Sequence, residues 1–169
     1  KEGLLQTKGW WDGEGAEVPE SARIKVVENG LVFDLDIENS QKTGFFLDQK
    51  YNRRAVRQIA GGRRVLDCFC HVGPFGLNAA AGGADFVRCV DVSQTAIDLA
   101  AENARLNGLD EHMDFTCANV LEYLPELRQD RARLREEGGP FDLIVLDPPA
   151  FTKSRGTVKQ AAKGYREIN

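Results

Sequence analysis

The stretch that most constrains this chain is residues 64–76, Arg-Val-Leu-Asp-Cys-Phe-Cys-His-Val-Gly-Pro-Phe-Gly. Val65 and Leu66 begin an apolar run that reads as a buried strand, and Asp67 stands where that strand should end. Gly73 and Gly76 then allow a tight turn and a close backbone approach to a ligand. Ala79, Ala80 and Ala81 carry the helix that follows. A loop of this kind lies outside the carboxyl end of its strand, where open α/β sheets bind their ligands.

The same strand-to-helix pattern repeats downstream. Strands are predicted near 63–67, 86–91, 113–117 and 141–146, and helices near 75–82, 95–107, 120–125 and 126–137. Ser93 is a natural N-cap for the second of these helices, and Asn107-Gly108 a natural stop. Alternation of this kind predicts a parallel sheet with helices on both faces.

The acids at the strand ends narrow the ligand. A dinucleotide fingerprint needs G-x-G-x-x-G, and here only Gly73 and Gly76 lie near that spacing. Asp67 at the strand end suits a cationic group better than a pyrophosphate. The next strand, Phe86-Val87-Arg88-Cys89-Val90, ends in Asp91, 24 residues after Asp67 and near the offset at which an acid meets ribose hydroxyls. A ligand with both an amine and a ribose is implied, and S-adenosylmethionine (SAM) has both. A nicotinamide-dependent oxidoreductase is the least favoured alternative, because the first glycine of its fingerprint is missing.

A third acid follows the last predicted strand, in Asp147-Pro148-Pro149-Ala150-Phe151. Two prolines fix an extended backbone and remove two donors. The Asp147 side chain and the Pro148 carbonyl would then project beside the ligand loop, with Phe151 available for stacking. Ahead of the sheet, Ile24, Val26 and Val27, then Leu31, Phe33, Leu35 and Ile37, form two β patterns joined by Asn29-Gly30, a strong hairpin signal. Residues 1–20, with Trp10 and Trp11, read as a turn or hairpin approach. A helix is expected after Gln49, with Arg53, Arg54 and Arg57 exposed and Val56, Ile59 and Ala60 inward. Phe45 and Phe46 read as core.

Net charge is −4, which argues against a uniformly basic nucleic-acid binder, but the charge is uneven. Residues 41–64 hold seven Lys or Arg against one Asp, and residues 151–169 five against one Glu. Two basic segments therefore flank the ligand-binding core, an arrangement that suits a phosphate backbone. Apolar runs are far shorter than the roughly 20 residues of a membrane span, so no membrane partner is expected and the cytoplasm is the default location. Cys68, Cys70, Cys89 and Cys117 read as buried, reduced thiols. With only His71 beside Cys68 and Cys70, no metal site is expected.

Taken together, Gln41-Lys42-Thr43-Gly44-Phe45-Phe46-Leu47-Asp48-Gln49, Asn52-Arg53, Asp67-Cys68-Phe69-Cys70, Asp91 and Asp147-Pro148-Pro149-Ala150-Phe151 resemble the SAM-dependent methyltransferases of large-subunit ribosomal RNA, most closely the cytosine-5 branch. The resemblance runs from about residue 20 to the end. It implies a Rossmann-like class I methyltransferase sheet, preceded by a small β-hairpin region. The expected division is residues 1–40 as hairpin and linker and 41–169 as a SAM-binding core lacking its C-terminal strands. It also implies that Asp67, Phe69, Val72 and Gly73 surround the methionine moiety, with Asp67 near its amine. Asp91 would hold the ribose, with Val92 lining the adenine and Ser93 beside them. Asn119 would meet the adenine amine, with Val120 next to it. Phe46, Asp48 and Gln49 would cover the cofactor, Pro148 would border it, and Asp147 would act as the catalytic residue facing the target base.

The chain departs from the family pattern where Pro74 replaces a common Gly and Asn119 a common Asp. The family fold continues for three further strands, and in the cytosine-5 branch a nucleophilic cysteine lies on one of the later segments. A fragment is therefore expected, inactive alone in cytosine methylation, with an uncovered strand edge at Val145 and Leu146 that favours a homodimer. Guanine N7 methylation and a non-catalytic RNA-binding fragment are the other readings. RNA, ribosomal in particular, is the expected partner.

Overall fold

In the computed structural model, which describes residues 21–38, 44–136, 138–151 and 158–168, the predicted alternation becomes a parallel sheet. Its strands are β3 (Arg64–Cys68), β4 (Phe86–Asp91), β5 (Met113–Cys117) and β6 (Leu143–Leu146). An antiparallel hairpin precedes them, β1 (Arg23–Glu28) and β2 (Leu31–Asp36). The helices are α1 (Lys50–Ile59), α2 (Pro74–Ala81), α3 (Gln94–Leu106), α4 (Val120–Gln129), α5 (Arg131–Glu136) and α6 (Val158–Ile168), with short 3-10 turns at Leu47–Gln49 and Asp110–His112.

The sheet order is β5-β4-β3-β6. The chain runs outward from β3 to β5 and then returns to the other side of β3. That reversal opens a crevice at the carboxyl ends of β3 and β6, the usual ligand position in such sheets. Strand period decides the two faces. Val65, Val87, Cys89 and Val145 join α2, α3 and the hairpin in one apolar cluster. Leu66, Cys68 and Val90 point the other way and pack against Val120, Tyr123 and Leu127 of α4.

The hairpin turns at Asn29 (φ 53°) and Gly30 (φ 79°), two left-handed residues in succession as a tight hairpin requires. Phe33 and Leu35 are fully buried in the main cluster. The open edge of β2 is satisfied by α3 side chains: Asn107 Oδ1 accepts from Val32 N at 2.9 Å, and Asn103 Oδ1 from Asp34 N at 2.7 Å. Asn107 Nδ2 returns a bond to the Val32 carbonyl at 2.7 Å. Two asparagines thus close a strand edge that would otherwise carry unpaired backbone groups.

Several expectations change. Arg53 is 1% exposed, not on the outer face of α1. It lies on the same helical stripe as Val56 and Ala60, and Glu28 offsets its charge with bidentate bonds of 2.6 and 2.8 Å. Its guanidinium also lies 4.6 Å above the Phe45 ring and donates to the Phe46 carbonyl at 2.8 Å. Ile59, expected inward, is 49% exposed, and Phe46 lies at the surface whereas Phe45 is core. Cys117, expected buried, is exposed at the end of β5. Helix α4 runs through Pro125, which sits on its exposed side, and breaks only at Asp130. Strand β6 starts two residues later than expected, because Asp142 is held to Arg64 by backbone and side-chain bonds. Residues 1–20 and 39–43 lie outside the described residues, as do residues 152–157 and 169 of the basic tail.

Candidate cofactor and substrate site

The loop from β3 into α2 is built from backbone that most residues avoid. Phe69 (φ 60°), His71 (φ 52°) and Gly73 (φ 81°) all adopt the left-handed region. Each non-glycine residue there costs on the order of 1–2 kcal/mol, so the surrounding contacts must hold the turn. Cys70 N donates to the Val90 carbonyl at 3.1 Å, Gly73 N to the Cys70 carbonyl at 2.9 Å, and His71 N to Asp91 Oδ2 at 2.9 Å. Helix α2 starts at Pro74 with no side-chain cap on its first turn. Strain of this kind, stored at a switch point, marks a ligand loop.

Gly76 fixes how tightly α2 sits on the sheet. A Cβ there would collide with Cys89 Sγ and lie 3.2 Å from Asp67 Oδ2. The Gly76 N–H donates to that same Asp67 oxygen at 2.8 Å. Asp67 is therefore buried beneath the loop, 1% exposed, rather than on its open surface. Burial pushes its carboxyl up to about 7, against the Gly76 hydrogen bond, with Asp147 and Asp91 adding repulsion.

Asp91 is half-buried at the end of β4. Its two oxygens accept from His71 N and, at 2.9 Å, from Ser93 N, which orients the carboxylate while leaving lone pairs for further donors. Ser93 caps α3 through Ala96 N as expected. Asn119 caps α4, its Oδ1 accepting from Leu121 N at 3.2 Å and its Nδ2 donating to Glu122 at 3.1 Å. Val72, Gly73 and Val120 are buried, Phe69 and Pro148 half-buried, and Val92 is 72% exposed at the mouth.

Asp147 follows β6 at the surface. Its carboxyl is raised above the ordinary range by burial and by the Asp48 charge, and Arg53 opposes this. Gln49 accepts from Asn52 at 2.6 Å, and the Phe46 ring meets His71 edge-on with centroids 6.0 Å apart. Phe151 is not free for stacking: its ring packs on Tyr165 of α6 at 4.7 Å between centroids.

The sequence reading missed His71. Its Nδ1 is buried without a hydrogen-bond partner. Burial lowers its pKa, with Asp91 pulling the other way. Its place two residues before Gly73 was the available signal. The Arg53–Glu28 pair that anchors the Phe46 carbonyl was also missed, since its partners lie on separate elements.

A family model described as "S-adenosylmethionine-dependent methyltransferase" matches residues 7–168. The chain belongs to this family. Among relatives of this methyltransferase, one from Aeromonas salmonicida named ribosomal RNA large subunit methyltransferase I is 44% identical over 170 residues. One of the same name from Photobacterium profundum is also 44% identical. Each match covers all of this chain and 40% of the relative, so the chain spans about two fifths of their length. A putative SAM-dependent methyltransferase from Streptococcus mutans superposes with a TM-score of 0.72 at 28% identity, covering 91% of this chain and 39% of that one. A putative methyltransferase complexed with SAH gives 0.72 at 27% identity, covering 91% and 40%. The class I architecture expected from the resemblance is thereby established.

The site fits the family's cofactor on its own chemistry. The glycine turn leaves backbone close to a ligand, an oriented acid stands at the end of β4, and a buried ring nitrogen lacks a partner.

Proposed function

We propose that this methyltransferase binds SAM across the carboxyl ends of β3 and β4 and presents its methyl group to a base of large-subunit ribosomal RNA, cytosine carbon-5 in the first instance. The observation that carries the reading is the juxtaposition of the strained 69–73 turn, the oriented Asp91 and the Asp147-Pro148 elbow at one sheet edge. SAM supplies an electrophilic methyl on a sulfonium centre. Asp91 accepts the ribose hydroxyls, with Val92, Ser93, Asn119 and Val120 around the adenine. Phe69, Val72 and Gly73 border the methionine end, and Asp67 lies behind them nearest the amine. Phe46, Asp48 and Gln49 form the cover, and Pro148 the far wall. A cationic cofactor suits the acids Asp48, Asp91 and Asp147 around it.

Asp147 faces the target base. Its carboxyl, raised by burial and by Asp48, would stand near N3 of a cytosine while a thiol adds at carbon 6. None of the chain's own thiols suits that addition. Burial pushes Cys68 up to about 12. Cys70 is raised by its hydrogen bond to Cys89 and by burial, and Cys89 by burial despite the bond from Cys70. Cys117 stands at β5, three strands from β6, or about 14 Å away at the usual strand spacing. Cytosine methylation therefore needs a thiol from outside the described residues, and the same observation favours guanine N7, which needs none, as the second reading. The basic segments 41–64 and 151–169 are proposed as the RNA contacts.

Calorimetric titration of SAM into the chain, beside Asp91→Ala, tests the cofactor site. Binding that the variant loses at least tenfold is expected. Equal affinity in both proteins would show that Asp91 does not hold the ribose. Mass analysis of treated ribosomal RNA then separates carbon-5 from N7 methylation.

A further inference from the structure

The six described cations of the first basic segment do different things in the fold. Arg53 is locked inside, and Arg64 lies over the Phe86 ring at 4.6 Å. Lys50, Arg54 and Arg57 instead line a single open groove of about 650 Å³, with Asn29, Gln58 and Gly82 as its other walls. No acid lines it. Neither Lys50 nor Arg54 is ion-paired among the described residues. Arg57 is held in place by donating to the Asn29 carbonyl at 2.6 Å. Asn29 in turn donates to the Lys50 carbonyl at 3.3 Å and to Asn78 at 3.1 Å, so the hairpin turn is fixed against α1. At the far end Gly82 presses so close to the Arg57 carbonyl that a Cβ would not fit. The groove is thus a built concavity, not a chance scatter of surface charge.

Its position matters as much as its charge. Helix α1 begins immediately after Asp48 and Gln49, at the rim of the crevice. That crevice carries the carboxyl groups of Asp48, Asp91 and Asp147, with Asp67 buried beneath its loop. A base can enter it, but a phosphate is repelled. The sugar–phosphate chain carrying that base must lie to one side, and the adjoining surface along α1 is cationic. Lys50, Arg54 and Arg57 fall at i, i+4 and i+7 on one stripe, spanning about 10 Å at 1.5 Å per residue. A stacked strand carries one charge per about 3.4 Å of axis, so the stripe spans about three phosphates.

We propose that the groove between α1 and the β1–β2 turn is a phosphate-binding track for the RNA strand that delivers the target base, gripping backbone without reading sequence. The proposal rests on the RNA reading above and specifies where that strand runs. Three cations would engage successive phosphates, while the acidic crevice excludes all but the base.

The test measures binding of a short fluorescent single-stranded RNA as a function of salt, for the parent chain, Lys50→Ala/Arg54→Ala, and the charge-matched control Arg128→Ala/Arg131→Ala on exposed α4 and α5 positions. Each lost phosphate contact lowers the salt slope by about 0.7. The groove variant should therefore lose about 1.4 from the slope, and the parent's advantage should shrink about sevenfold between about 50 and 200 mM salt. The control should keep the parent slope, and all three should bind SAM alike, which verifies the fold. RNA binding with an unchanged slope in the groove variant, or an equal loss in the control, overturns the track alone. A parent chain that binds SAM but no RNA overturns the RNA reading and the track with it.

Discussion

Two successive strand-to-helix turns in this methyltransferase solve the same geometric problem in opposite ways. Between β4 and α3 the chain uses ordinary local chemistry: Asp91 accepts from Ser93 N, and Ser93 caps Ala96 N. Between β3 and α2 there is no side-chain cap, three residues are left-handed, and the acid lies beneath the backbone. The first turn is held by bonds among residues within five positions of one another. The second stands only because β4, α2 and Asp91 hold it. A turn that is expensive in isolation and supported from all sides is pre-organised, and that is what a small ligand needs from the backbone it touches.

The sharpest way to test this contrast is Asp67→Asn. The folded protein holds Asp67 neutral up to about pH 7, whereas the unfolded chain ionises it near the ordinary 3.8. A raised folded pKa contributes stability below the unfolded value that is lost as pH rises through the folded one. The wild type should therefore lose stability relative to Asp67→Asn between about pH 4 and 7, by about 4 kcal/mol in all. Denaturant melts of both proteins at pH 4.5 and 8 measure it. A constant gap would mean that Asp67 is ionised in the fold.

Next in size is Gly76→Ala. The new Cβ meets a buried sulfur and a buried carboxylate, so a loss of about 1–3 kcal/mol is expected. A melt within about 0.5 kcal/mol of wild type would show that α2 is free to lift. Ser93→Ala should cost only about 1 kcal/mol, the usual worth of a cap. A larger loss would erase the distinction between the two turns.

The sequence was most readable where local rules govern. Asn29-Gly30, the cap at Ser93, the stop at Asn107-Gly108 and the strand–helix alternation all depend on residues within a few positions of one another. It was least readable where a partner is remote. Arg53 looks like a solvated charge until Glu28 is brought over it from a strand 25 residues earlier. Asp67 looks like an open ligand group until Gly76 closes on it. Ile59 and Cys117 resemble core residues, yet they fall at the end of a helix and of a strand, where no described neighbour covers them. Asn119 shows a third case, in which a side chain read as a ligand group serves as a helix cap.

The guanidinium of Arg53 joins Glu28 on the hairpin to the Phe46 carbonyl at the rim of the site. One buried side chain thus ties the end of β1 to the segment that leads into α1, so strand and helix are sewn together through a single charge.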